Sequence, residues 1–108
     1  EMADGSKKTL VIDAKALPIL PDVEEYASMG LIPGGAYRNR EFAAKFGYIS
    51  TAELWREDLV FDPQTSGGLL AVPADEAEEI LLELSESALS CAMIGEVTDR
   101  ENHALEIR

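Results

Sequence analysis

The spacing of apolar and polar positions changes several times along the chain, and each change predicts an element. Thr9 to Asp13, TLVID, is short and rich in β-branched residues, which predicts a strand. Pro18 and Pro21 rule out one continuous helix across the following AKALPILP segment. Asp22 opens a helix. It can cap, Glu25 sits three residues later as in a capping box, and acidic side chains suit the positive end of the helix dipole. Gly30 is the residue expected just past its end. Residues 1–8 are polar, contain Gly5 and read as a loop.

Residues 31–50 are the least regular part, with IPGG as a turn signal. REFAAKF predicts two helical turns, with Phe42 and Phe46 on one face. STAELWRED predicts a short helix capped by Ser50 or Thr51, and LVF an extended segment leading to Asp62 and Pro63. GLLAV, from Gly68 to Val72, reads as a buried strand stopped by Pro73. Asp75 can cap the next helix, the clearest amphipathic one. Its apolar face is Ala77, Ile80, Leu81, Leu84 and Ala88, and Glu76, Glu78, Glu79, Glu83 and Glu86 face water. CAMIGEV, from Cys91 to Val97, is a further strand, and ALEIR ends the chain as another. The polar TDRENH between them suits a hairpin loop. The expected fold class is α+β, a mixed sheet of about four strands with helices packed on it.

Composition narrows the function more than the fold. The 108 residues make one domain, 1–108. Twenty-one acidic against nine basic residues give a net charge of −12. A phosphate backbone or an anionic membrane surface would be repelled, so neither nucleic acid nor membrane is an expected partner. Cys91 is the single cysteine, which excludes an internal disulfide and a cysteine-based metal site. That usage, with no signal-peptide pattern and no apolar run near the roughly 20 residues of a membrane helix, points to the cytoplasm. The chain opens on Glu1 rather than Met, which reads as a piece of a longer protein.

The densest chemistry lies in FDPQTSGGLLAVP, Phe61 to Pro73. Pro63 pushes Asp62 into an extended conformation. Gln64, Thr65 and Ser66 bring an amide and two hydroxyls that can donate to an anion. Gly67 and Gly68 permit positive φ and leave backbone N–H groups uncovered, as in an anion nest. No Lys follows the glycines and a strand rather than a helix is expected next, so this is not a Walker A loop. A tight turn whose hydroxyls satisfy their own backbone would carry the same residues. Arg38, Asn39 and Arg40 form a basic patch after Gly34 and Gly35. They can line a cleft and bind phosphate, or make surface ion pairs with Glu41 or Asp58.

DPQTSGGLL resembles the signature of the C-terminal domain of selenophosphate synthetases, the selenide, water dikinases. MGLIPGGAYRN, Met29 to Asn39, resembles the segment upstream of that signature. AMIGEV, Ala92 to Val97, resembles the strand after the amphipathic helix, and the closing EIR is also family-like. These blocks fall in the family's order and span most of the chain. The resemblance implies the C-terminal-domain fold shared with aminoimidazole ribonucleotide synthetases. It implies an enzyme that makes selenophosphate, AMP and phosphate from ATP, selenide and water, with magnesium, and that dimerises when full-length. The family's reactive Cys or Sec, its essential Lys and its magnesium ligands lie in the N-terminal, ATP-binding part and match no position here. The fragment alone would then be inactive, hold neither ATP nor magnesium, and carry no catalytic residue or metal ligand. It would partner its own N-terminal domain. Gln64, Thr65, Ser66, Gly67 and Gly68 are the phosphate-binding candidates, and Arg38, Asn39 and Asp62 the cleft candidates. A sister ATP-dependent enzyme of the same superfamily, or a non-catalytic binding or scaffold module, are the alternatives.

The remaining chemistry-bearing residues have plainer readings. Cys91 is expected to be a small buried hydrophobe within a strand. His103, the only histidine, is expected in a solvated hairpin loop. Trp55 and Tyr37 are expected to pack.

Overall fold

The computed structural model describes residues 1–65, 68–87 and 90–108. Element order is α1 (Met2–Ser6), β1 (Lys8–Ile12), α2 (Val23–Ser28), α3 (Gly34–Ala44), β2 (Tyr48–Ser50), α4 (Leu54–Val60), α5 (Ala77–Ser87), β3 (Gly95–Asp99) and β4 (Leu105–Ile107). The strands form one sheet in the order β2-β4-β1-β3. β1 runs antiparallel to β3 and parallel to β4, and β2 runs parallel to β4. The expected α+β class with a mixed four-stranded sheet is therefore what the chain adopts.

β1 is the organising strand. Val11 and Ile12 are buried, and Ile107 of β4 is fully buried beside it. Ile107 joins Ala14, Ala36 and Phe61 in the core, with Leu17, Ile32 and Tyr48 packed around them. α2 begins after Asp22 as expected, but Asp22 has φ +65 and its side chain makes no capping bond. Gly30 ends the helix with φ +80, its N–H donating to the Ala27 carbonyl at 2.9 Å. Phe42 and Phe46 share a face, with ring centroids 5.2 Å apart edge to face.

Several elements differ from the sequence reading. Residues 2–6 form α1 rather than a loop, and β1 starts at Lys8. α3 starts at Gly34, six residues before REFAAKF, and the STAELWRED helix forms as α4 but only from Leu54, with Glu53 rather than Ser50 or Thr51 at its cap, because Ser50 belongs to β2. Residues 59 and 60 of LVF continue α4 instead of extending. The expected GLLAV strand does not form: positions 68–72 carry no strand, and Leu69 and Leu70 are exposed. An apolar run becomes a strand only where a neighbour's backbone pairs with it, and no described strand pairs here. β3 begins at Gly95, so Cys91 lies outside it and is half-buried, with Sγ 3.4 Å from Ser85 Oγ. On α5, Ala77, Ile80 and Leu81 are half-buried, Leu84 is exposed, and Ala88 lies outside the described residues.

The hairpin expected between β3 and β4 is split, because β1 inserts between the two strands and pairs with both. Their connection crosses the start of β1 and is pinned by Thr9, which is fully buried. Thr9 Oγ1 donates to the His103 carbonyl at 2.7 Å and accepts from the Glu101 N–H at 3.0 Å. Thr9→Val keeps the shape and removes both bonds. A loss of about 1–3 kcal/mol is expected, read as a lower urea midpoint. His103 is consequently not a solvated loop residue. Its side chain is 12% exposed, with Nε2 3.6 Å from a Glu106 carboxylate oxygen.

Candidate functional site

The polar loop leaves the protein core at Phe61. The Phe61 ring is buried and meets the Tyr48 ring edge to face, centroids 5.2 Å apart. The Arg40 guanidinium lies 5.4 Å from the centre of the same ring. The Asp62 N–H still donates to the Leu59 carbonyl at 3.1 Å, so the chain turns out of α4 only after Asp62. The loop thus begins from a fixed point.

Its first residues rest on α3. A Cβ placed on Gly35 would lie 2.8 Å from Pro63 Cγ, so the proline ring sits directly over that glycine. Asn39 Nδ2, one helical turn further along, donates to the Phe61 carbonyl at 2.9 Å. Gln64 Nε2 donates to Asp62 Oδ2. Gln64, Thr65 and Gly68 are exposed, and nothing lies within 4 Å of where a Cβ on Gly68 would be. Ser66 and Gly67 lie outside the described residues. Of the candidates, Asn39, Asp62 and Gln64 are therefore brought to one place, with Thr65 next in the chain.

The basic patch divides into separate roles. Arg38 is exposed and leans along the first turn of α3, its Nη1 3.9 Å from where a Gly34 Cβ would stand. Arg40 turns inward instead. Its Nε lies 3.3 Å from Glu57 Oε1, outside hydrogen-bonding geometry, and its Nη2 donates to Asp58 Oδ1. The Tyr48 hydroxyl donates to Glu57 Oε1 at 3.2 Å. Burial, reinforced by the Glu57 carboxylate, raises the Tyr48 pKa above its ordinary value. A folded-state pKa above the unfolded one makes stability fall as pH rises past the ordinary tyrosine value, about 10. Tyr48→Phe is expected to flatten that alkaline slope in a stability-against-pH series.

Sequence reasoning named Asp58 as a possible partner for this patch but missed Glu57 and Tyr48. It also missed the contact between Gly35 and Pro63. The available signal was a Gly-Gly pair opening a helix, where intrinsic propensity disfavours it and close approach of another segment explains it. Tyr37 is half-exposed rather than packed. Trp55 is half-buried, with Arg56 stacked 4.2 Å over its ring and Nε1 donating to Glu53. Among the described residues, no group of three or more His, Cys, Asp or Glu side chains could hold a metal ion.

The family described as AIR synthase related protein, C-terminal domain, matches residues 1–108. The chain belongs to that family. This AIR synthase related C-terminal domain is also similar to curated proteins named selenide, water dikinase. One from Pelobacter propionicus is 46% identical over 102 residues, which is 92% of this chain and 29% of the relative. One from Pseudomonas putida is 40% identical, covering 99% of this chain and 31% of the relative. One from Clostridium botulinum is 37% identical over the whole chain and 32% of its own length. The domain spans about a third of the length of these relatives. The likeness first carried by DPQTSGGLL, MGLIPGGAYRN and AMIGEV therefore extends across the chain. No helix of the described residues is long and apolar enough to cross a membrane.

Proposed function

We propose that residues 1–108 are the single C-terminal domain of a longer, cytoplasmic selenide, water dikinase that makes selenophosphate, AMP and phosphate from ATP, selenide and water. The observation that carries the reading is the loop DPQTSGG, whose Gln64 and Thr65 are exposed while its first residues are held against α3. The domain's partner is the enzyme's own N-terminal ATP-binding part, in a protein that dimerises. ATP and selenide are the substrates.

The chemistry asked of this half is positioning and charge stabilisation. Phosphoryl transfer spreads negative charge over oxygens in flight, and fixed N–H and O–H donors lower its energy. Asp62 occupies the Gln64 amide, so the Thr65 and Ser66 hydroxyls and the N–H groups of Gly67 and Gly68 are the donors assigned to that charge. Asn39, which donates to the Phe61 carbonyl at the foot of the loop, and Arg38 are assigned to the cleft wall. The family resemblance assigns the magnesium ligands to the N-terminal part, and no step here runs through the metal.

The test is Thr65→Ala with Ser66→Ala in the full-length enzyme. Selenide-dependent conversion of ATP to AMP is expected to lose about tenfold or more in kcat, with the fold intact by circular dichroism. Turnover equal to that of the unaltered enzyme would return the loop to a structural turn.

A further inference from the structure

Two sequence blocks meet at one contact. Gly35 and Asn39 belong to IPGGAYRN, and Phe61 and Pro63 to FDPQTSGG, more than twenty residues later. The Asn39 amide holds the last carbonyl before the loop at 2.9 Å. Pro63 stands where a side chain on position 35 would begin, 2.8 Å from its Cβ position to Cγ and 3.2 Å to Pro63 Cβ. A proline ring is not the loose end of a flexible side chain. It is fused to the backbone, so moving the ring moves the chain on both sides of it.

We propose that Gly35 and Asn39 are positioning residues for the loop: α3 sets where Gln64 and Thr65 stand. The deduction rests on the functional reading above for its catalytic consequence, but not for its geometry. Helix propensity alone says alanine should improve on glycine at position 35. The contact reverses that sign locally. An added methyl must push Pro63 outward by several tenths of an ångström, and the loop with it, because Phe61 behind it is anchored in the core. Displacement on that scale in a site that works by orientation lowers turnover by roughly ten- to a hundredfold.

The experiment uses the full-length enzyme with Gly35→Ala, Pro63→Ala, the double variant, and Asn39→Ala. Two readouts are taken: amide chemical shifts of Gln64 and Thr65, and kcat with KM for ATP. In Gly35→Ala, both amides are expected to shift and kcat to fall more than KM changes. In the double variant Cγ, the atom at 2.8 Å, and Cδ are gone and only the Cβ at 3.2 Å remains, so shifts and kcat are expected to return most of the way to those of Pro63→Ala alone. Asn39→Ala, at an exposed position that leaves the helix intact, is expected to move the same two amides. Unmoved amides in both Gly35→Ala and Asn39→Ala overturn the proposal. So does a double variant as displaced as Gly35→Ala. Amides that move and return while kcat stays constant would uphold the positioning and overturn the catalytic reading of the loop instead.

Discussion

Gly95→Ala is expected to destabilise the domain by about 3 kcal/mol or more, against the usual preference for alanine over glycine within a strand. Gly95 opens β3 and pairs with Ile12. A Cβ there would collide with the Val11 carbonyl oxygen and lie 3.0 Å from its carbon and 3.1 Å from Ile12 Cα. All three are backbone atoms, and their strand cannot retreat. β1 is bonded on its other edge to β4, and Val11 and Ile12 are buried. The collision can be relieved only by opening the start of the β1–β3 ladder, including the bond from Asp13 N–H to the Ile94 carbonyl at 2.8 Å. Urea midpoints of the two proteins, followed by circular dichroism, measure the effect. Equal midpoints would contradict the close approach of the two strands.

Arg40→Met is expected to cost about 2–4 kcal/mol, somewhat below the range for a fully buried pair because the arginine is 23% exposed. Glu57 and Asp58 are adjacent carboxylates, 15% and 11% exposed at the side chain, and Arg40 is the cation between them. Methionine preserves much of the contact with the Phe61 ring and removes the charge with its hydrogen bond to Asp58, leaving two anions facing a poorly solvated space. The variant that adds Glu57→Gln and Asp58→Asn is expected to recover most of the lost stability, since the penalty lies in uncompensated charge. A triple variant no better than Arg40→Met would place the penalty in packing instead. Because Arg40 also touches the ring from which the loop departs, this ion-paired group belongs to the loop's foundation as much as to the fold.

Local chemistry decided which parts were legible in the sequence. The β-branched run of β1, the alternation in β4 and the amphipathic pattern of α5 are signals carried by neighbouring residues, and those elements form. Gly30 was readable because a helix end needs a residue tolerant of positive φ. β2 has three residues, and its pairing with β4 makes it a strand more than any propensity in YIS. α3 starts on two glycines that intrinsic preference would place in a turn. The insertion of β1 between β3 and β4 joins positions about ninety residues apart, which no local pattern encodes. At the site, positions 62–64, which open the motif, carry no helix or strand. The contacts fixing its position, Gly35 under Pro63 and Asn39 on Phe61, exist only after α3 and α4 are packed.

On the proposed function, the loop after Phe61 meets the phosphates of ATP in the assembled enzyme. Amide hydrogen exchange of the peptide covering residues 61–70, in the full-length protein with and without a saturating non-hydrolysable ATP analogue, tests this most directly. The predicted result is slower exchange in that peptide when the analogue is bound. Exchange unchanged there, while peptides elsewhere in the enzyme become protected, would contradict it.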